Sequence, residues 1–354
     1  MELPEGVCDV LPSLAEQQRE ILQVFTKTLT GNGYWEVKTP SFELYESLRR
    51  GFVTEESVYK FTDYRGRILA LRPDFTFSIL RLGLSQLSTE SLPWKLCYAG
   101  NVFRIEQPGS GKLHEITQVG AEIIGAHGRA AEAEIIWLAA KSLLQISSNK
   151  FQVTLGDGRV TAALLAAAGL DGARKHQAAD ALKRQDFVEL DRCLADSGTG
   201  TEVFRCLTEG TKALPIAKML LNSYQAETAC LLEQLESLYQ IIAKASFAEQ
   251  VEIDLGLIKA MPYYSGIVFE FYAQTSAVSI GGGGRYDTLA SVLGHRIPAV
   301  GFAINVTELA KATIDNQVTK GKYRSYLVAT APTPAEISRG LVFLSQLNHR
   351  GQKG

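Results

Sequence analysis

The spacing of hydrophobic and polar positions along the chain changes several times, and each change marks an element. Ile21, Val24, Phe25 and Leu29 recur at helical spacing, and Gly31 stands where such a helix stops. Ser13 and Glu16, just upstream, have the spacing of a capping box. Tyr34 to Lys38 then reads as a short strand ended by Pro40, and Ile68 to Leu71 as another. Two longer strands are predicted over residues 96–106 and 114–124, joined by the loop that carries QPGSGK. Mixed with helices, these strands are expected to form an antiparallel sheet.

From Val160 to about Phe247 alanine, leucine, lysine and glutamate dominate, as in AALLAAAGL and CLLEQLESLYQII. Strand patterns resume at VEIDLGL (251–257) and GIVFEFYA (266–273), so the block over about 160–248 reads as a helical insertion. Four glycines, 281–284, suit a bulge or tight turn and precede a short helix that Asp287 is positioned to cap. PAVGFAI is predicted as a strand and NVTELAKATI as a helix. The polar stretch 316–322 reads as a linker. Residues 323–354 read as one strand and one helix, stopping where a second strand is expected.

Composition narrows the function classes. With 354 residues, 46% hydrophobic and 21% charged, the chain has the profile of a soluble globular protein with a sizeable core. A net charge of −2 gives no general attraction to nucleic acid or to an anionic membrane, and neither is expected as a partner. The five cysteines are odd in number and lack C-x-x-C spacing, and the five histidines are scattered. They imply free thiols in a reducing compartment, with no metal site and no cofactor. MELPEGVCDVLP lacks the basic start and apolar core of a signal peptide, and the apolar run Ile135 to Leu144 contains Lys141 and is too short to span a bilayer. A cytoplasmic location is expected.

Several segments carry candidate chemistry. Strand alternation puts Phe103 and Ile105 on one face and Arg104 and Glu106 on the other. In the next strand Gln118, Gly120 and Glu122 share a face, with Gly120 leaving a gap where a small molecule fits. Periodicity alone favours an ordinary solvated polar face there. In LRPDFT, Asp74 and Thr76 suit a helix cap, and they also suit a ligand ammonium. KAMPYYSGIVFEFY brings Lys259, Tyr263 and Tyr264; on a strand adjacent tyrosines point to opposite faces, so only one need face a pocket. The loop QPGSGK is not a P-loop: Glu106 stands where the first glycine belongs, and Leu113 follows Gly111-Lys112.

Taken in order, these segments resemble the class II aminoacyl-tRNA synthetase core, and within it histidyl-tRNA synthetase, over nearly the whole chain to about residue 312. LPEGVCDVLP is similar to the family's N-terminal segment. The helix ending in GYWEVKTP resembles the dimer-forming motif 1, and FRIE with HEITQVGAE resembles motif 2. MPYYSGIVFEFY and GGGGRYDTL, with Tyr286, resemble the two segments peculiar to the histidine enzyme. The implied fold class is α+β: a synthetase-like antiparallel sheet flanked by helices, with a helical insertion and a short C-terminal α/β piece. The core is expected over residues 1–315. The implied histidine-binding set is Asp74, Thr76, Arg104, Gln118, Glu122, Lys259, Tyr263, Tyr264 and Tyr286. Asp74, Thr76 and Gln118 would hold the amino group, and Glu122 and Tyr264 would read the imidazole.

The departures from the synthetase lie where ATP is gripped. Gln107, Lys112 and His114 stand at motif 2 positions that carry arginines in the synthetase, although Arg104 and Glu106 match. Asn305 and Glu308 stand where motif 3 supplies glycine and arginine, and they fit an N-x-x-E capping pair instead. An acid facing phosphate would be a like-charge clash. Lys259 replaces the catalytic arginine, keeping the charge but losing the planar fork. This combination resembles the regulatory subunits of ATP phosphoribosyltransferase. The resemblance implies no catalytic residues, L-histidine as effector, and a short-form catalytic subunit as partner. It also implies a hetero-octamer built on homodimers through the motif 1 region. Two alternatives stand beside it: a truncated or divergent histidyl-tRNA synthetase, and a histidine sensor with another partner.

Overall fold

Eleven strands and eleven α-helices make up the described part of the chain, which in this computed structural model is residues 2–50, 57–87, 90–106, 109, 111–147, 151–259, 263–276 and 278–313. The strands are β1 (Trp35–Glu36), β2 (Phe42–Leu44), β3 (Lys60–Thr62), β4 (Ile68–Leu71), β5 (Trp94–Phe103), β6 (Glu115–Ile124), β7 (Phe151–Asp157), β8 (Val251–Ile253), β9 (Ile267–Ala273), β10 (Ser279–Arg285) and β11 (Ala299–Asn305). Outside the insertion the helices are α1 (Pro12–Gly31), α2 (Tyr45–Arg50), α3 (Thr76–Gln86) and α4 (Arg129–Ser147). The insertion is α5 (Gly158–Ala167), α6 (Gly172–Lys183), α7 (Phe187–Leu194), α8 (Gly200–Thr208), α9 (Leu214–Tyr224) and α10 (Ala226–Ile242), and α11 (Val306–Thr313) follows β11. Residues 316–354, including the expected linker and C-terminal piece, lie outside the described residues.

An eight-stranded sheet in the order β1-β5-β6-β11-β10-β9-β7-β8 organises the chain, with a small three-stranded sheet, β2-β4-β3, beside it. Its central pairings are antiparallel, as expected, but both edges are parallel: β1 with β5, and β7 with β8. A parallel pair needs a long crossover connection. The whole helical insertion supplies it between β7 and β8, which is why β8 returns alongside β7 rather than folding back on it. Asp157 caps α5 by accepting a hydrogen bond from the Arg159 backbone N–H, so the strand passes straight into the insertion.

Alternation along β5 and β6 divides the core into two. Cys97, Val119, Ala121 and Ile123 belong to the larger core, packed under α1, α4 and α11. Leu96, Tyr98 and Ile124 belong to the second core with Phe75, Ile79, Tyr263 and Tyr286. The odd and even positions of each strand therefore serve different layers. Gln118 and Glu122 fall on the second face, where the sheet is only partly covered.

Four local expectations are corrected. Helix α1 starts at Pro12 with Leu11 as its N-cap, and Leu11 makes no side-chain cap. Proline is pre-set for the first helical position, so Ser13 lies inside the first turn and the Ser13–Glu16 box does not form. The predicted strand 96–106 ends at Phe103, so its alternation does not extend to Arg104, Ile105 and Glu106. Of the two expectations for the glycines 281–284, the tight turn is not formed: they lie within β10, between β9 and β11, and the register shift between Ser279 and Gly281 is in keeping with the bulge. Asp287 does not cap the short 3-10 helix Leu289–Leu293; its carboxylate accepts from Arg285 and from the Ala299 backbone N–H. By contrast, the Asn305 side chain does accept from the Glu308 backbone N–H at 3.1 Å, as the capping pattern predicts.

Candidate functional site

A cavity of about 770 Å³ opens on the second face of the sheet, lined by the start of α3 and by residues of β5, β6, β10 and β11. All nine residues singled out from the sequence line it: Asp74, Thr76, Arg104, Gln118, Glu122, Lys259, Tyr263, Tyr264 and Tyr286. Such a volume is in the range of small-molecule sites.

Glu122 forms the floor and is 1% exposed. Its Oε2 accepts from the Tyr286 hydroxyl at 2.6 Å, and its Oε1 accepts from Thr76 Oγ1 at 3.2 Å and from the Tyr98 hydroxyl at 3.4 Å. Burial pushes the Glu122 carboxyl up to about 8, against the lowering effect of the Tyr286, Thr76 and Tyr98 hydrogen bonds. The carboxyl fits only because Gly301, its direct cross-strand partner on β11, has no side chain. A Cβ at Gly301 would lie 1.4 Å from Glu122 Oε2. Behind the floor, Tyr98 stacks on Phe75 at 4.3 Å between ring centroids, and the Arg72 guanidinium lies 3.9 Å from the Phe75 centroid. Arg72 also donates to the Asn101, Thr39 and Pro40 carbonyls, so this residue of LRPDFT is a brace for the wall.

Asp74 stands just before α3 and accepts a long hydrogen bond, 3.4 Å, from the Phe77 backbone N–H. Both readings of Asp74 are therefore compatible: it steadies the helix start and it lines the cavity. Burial raises its pKa, and the neighbouring Arg104 opposes that shift. Arg104 is oriented by donating to the Pro73 carbonyl at 2.7 Å. Gln118 is buried on the cavity wall, and its Oε1 has no hydrogen-bond partner among the described residues. A buried acceptor without a donor is costly, and native proteins rarely leave one without a reason.

On the β9–β10 side, Lys259 Nζ meets Glu270 Oε1 at 2.5 Å, and the Tyr272 hydroxyl donates to Glu270 Oε2. Burial lowers the Lys259 pKa, against the opposing pull of Glu270. The ammonium lies over β10 where a Cβ on Gly282 would be, 2.6 Å away. Counting the described lining residues, three cations (Arg104, Lys112, Lys259) face four carboxyl groups (Asp74, Glu106, Glu122, Glu270). The lining thus has no net positive field for a polyphosphate.

Several sequence-based roles change. Gly120 leaves no gap for a ligand: a Cβ there would meet the Tyr98 hydroxyl at 2.4 Å and the Phe302 carbonyl at 2.3 Å, so protein already fills that space. Tyr263 and Tyr264 both line the cavity, because they precede β9 in irregular backbone and strand alternation does not apply to them. His114 is withdrawn from the cavity, with its Nδ1 2.5 Å from the Tyr59 hydroxyl and its backbone N–H bonded to the Gly6 carbonyl. Glu308 does not line the cavity either; its carboxylate pairs with Lys311 at 2.8 Å, so the expected clash with phosphate does not arise from it. Lys112 lies 3.6 Å from Glu106, and Gln107 is outside the described residues. Sequence reasoning missed Tyr98, Glu270 and Gly301. A glycine inside the predicted strand PAVGFAI was a usable signal of close approach; the other two depend on long-range register.

Comparison with known proteins identifies the family and the fold. A family model described as histidyl-tRNA synthetase matches residues 6–309. An ATP phosphoribosyltransferase regulatory subunit from Moorella thermoacetica is 35% identical over 320 residues, covering 88% of this chain and 82% of the relative. One from Clostridium acetobutylicum is 30% identical over 361 residues, covering 99% and 88%. The crystal structure of an ATP phosphoribosyltransferase regulatory subunit/histidyl-tRNA synthetase from Bacillus halodurans superposes with a TM-score of 0.79 at 30% identity, covering 89% of this chain and 83% of that one. A histidyl-tRNA synthetase from Nostoc sp. shares the fold, with a TM-score of 0.74 at 18% identity over 88% of this chain and 74% of that one. With a synthetase-like core along most of its length and relatives of this kind at 30% and 35% identity, the chain belongs to the histidyl-tRNA synthetase-like family of ATP phosphoribosyltransferase regulatory subunits.

Proposed function

We propose that this chain is a non-catalytic, histidine-responsive subunit that works with a short-form catalytic ATP phosphoribosyltransferase in the first step of L-histidine biosynthesis. The cavity holds free L-histidine. Glu122 and Tyr264 read the imidazole, Asp74, Thr76 and Gln118 take the ammonium, and Arg104 and Lys259 face the carboxylate. Tyr286 holds Glu122, and Tyr263 packs beside Tyr264 with ring centroids 5.0 Å apart. The observation that carries this reading is the unpartnered Oε1 of buried Gln118, an acceptor waiting for a ligand donor above a carboxyl floor.

The partner holds ATP and phosphoribosyl pyrophosphate and performs the transfer. Histidine shifts the assembly between two states through its different affinity for each. The assembly is a cytoplasmic hetero-octamer built on homodimers through α1 and β1. Among the described residues no helix is long and apolar enough to cross a membrane. The absence of a net positive lining supports a lack of aminoacylation chemistry. Calorimetry with histidine tests the site: Glu122→Ala or Tyr264→Phe weakens binding by about 1–3 kcal/mol. Unchanged binding moves the effector elsewhere. Histidine-dependent ATP–pyrophosphate exchange by the purified chain would overturn the non-catalytic reading.

A further inference from the structure

The Glu122 carboxyl is surrounded by hydroxyls, and among the described residues no cation is hydrogen-bonded or ion-paired to it. Tyr98 approaches from β5, and Asp74 and Thr76 from the start of α3. Tyr286 approaches from the end of β10, with Tyr263 and Tyr264 ahead of β9, and the opposing strand β11 contributes only Gly301. Tyr34, at the end of α1, also feels its charge. The one other carboxylate in this group, Asp74, repels it. A carboxyl offers about four acceptor directions; Tyr286 and Thr76 fill two, and the Tyr98 hydroxyl, with its single proton, lies 3.4 Å from both Glu122 Oε1 and the Phe302 carbonyl, so at least one direction stays unfilled. An ionised carboxylate this deep without a cation is strongly disfavoured.

We infer that Glu122 and the ring of the bound ligand share a single proton, so that the cavity floor selects ring ligands carrying a basic nitrogen, the imidazole class. This rests on the histidine reading above. When a neutral imidazole enters, the Glu122 O–H bond breaks and the proton passes to the unprotonated ring nitrogen. The resulting imidazolium–carboxylate pair has the same proton count as the separate partners. The cation that pairs with Glu122 is then made within the site by the ligand.

Free imidazole takes a proton below about 6.5, and empty Glu122 loses its proton above about 8. Between those values binding exchanges no proton at this pair. Below them it releases one, and above them it takes one up, so affinity falls on both flanks by up to about tenfold per pH unit. Calorimetry in pairs of buffers with different ionisation enthalpies measures this, using wild type and Glu122→Gln at about pH 7 and about pH 9. The difference between the two proteins cancels the titration of histidine's own amino group. Wild type is expected to take up about one proton more than Glu122→Gln at about pH 9 and to match it at about pH 7. Thienylalanine, a ring of similar shape without a basic nitrogen, is expected to bind wild type at least about tenfold more weakly than histidine, which needs no variant to fold. Histidine binding without the excess uptake, or thienylalanine binding as tightly as histidine, overturns the shared proton and leaves the histidine site standing. Absence of histidine binding at every pH overturns both.

Discussion

The substitution Gly301→Ala strikes the site where its packing is closest. Gly301 faces Glu122 across the β6–β11 ladder, and the new methyl would lie 1.4 Å from Glu122 Oε2, 2.4 Å from its Cδ and 2.8 Å from the Ala121 carbonyl. The two backbones are locked in a central pairing, so the Glu122 side chain is what has to move. Overpacking of this kind costs about 1–3 kcal/mol. Moving the carboxyl also strands the buried Tyr286 hydroxyl, now 2.6 Å from its acceptor, for a further ~1–3 kcal/mol. Urea denaturation should therefore show a loss of about 2–6 kcal/mol, and calorimetry should show loss of histidine binding. The mechanism makes a sharper demand: with Glu122→Ala as the background the two closest contacts are gone, only the 2.8 Å approach to the Ala121 carbonyl remains, and adding Gly301→Ala should cost less than it does in wild type. Additive losses in that double-mutant cycle, or a Gly301→Ala protein of wild-type stability and affinity, would refute the role given to Gly301.

Two predictions concern the charge state of the floor. Removing the Tyr286 hydroxyl with Tyr286→Phe deletes a hydrogen bond that lowers the Glu122 pKa, so the protonated carboxyl should persist to higher pH than the wild-type value of about 8; infrared titration of the carboxylic C=O band reads this, and an unchanged or lower midpoint would count against it. In the unfolded chain Glu122 ionises near its ordinary value of 4.5, while the folded form keeps the proton to about 8. Over that window the folded state binds more protons, so this group's contribution to stability falls as pH rises. Glu122→Gln should flatten the stability–pH profile between those limits, and an equally steep profile in the variant would assign the slope to other groups.

Local patterns were legible where one strand or one helix turn decided the outcome. Strand β4 lies at Ile68–Leu71, where the sequence pattern placed it, and the insertion reads from composition alone. Asn305 caps α11 because cap and acceptor lie three residues apart. The nine cavity residues were found through ordered motifs, since no period in the chain connects Asp74 with Tyr286. What escaped was set by distant register. Tyr98 fills the space beside Gly120 because β5 and β6 pair at those residues. The glycines of β10 suit a bulge or a tight turn equally by sequence, and only pairing with neighbours on both sides decides against the turn. Asp287 had the position of a cap, yet Arg285 and the Ala299 N–H, brought close by tertiary folding, both claim its Oδ1.

The most direct test of the account joins site and function in one assay. Phosphoribosyl transfer by the short catalytic subunit is measured with this chain added, across a histidine titration, for wild type and Glu122→Ala. Wild type should raise the rate and make it histidine-sensitive. Glu122→Ala should still raise the rate but need about 5- to 150-fold more histidine for the same inhibition, the equivalent of one lost buried polar contact at about 1–3 kcal/mol. A chain that leaves the catalytic subunit's rate and histidine response untouched, or two inhibition curves that coincide, would contradict the account.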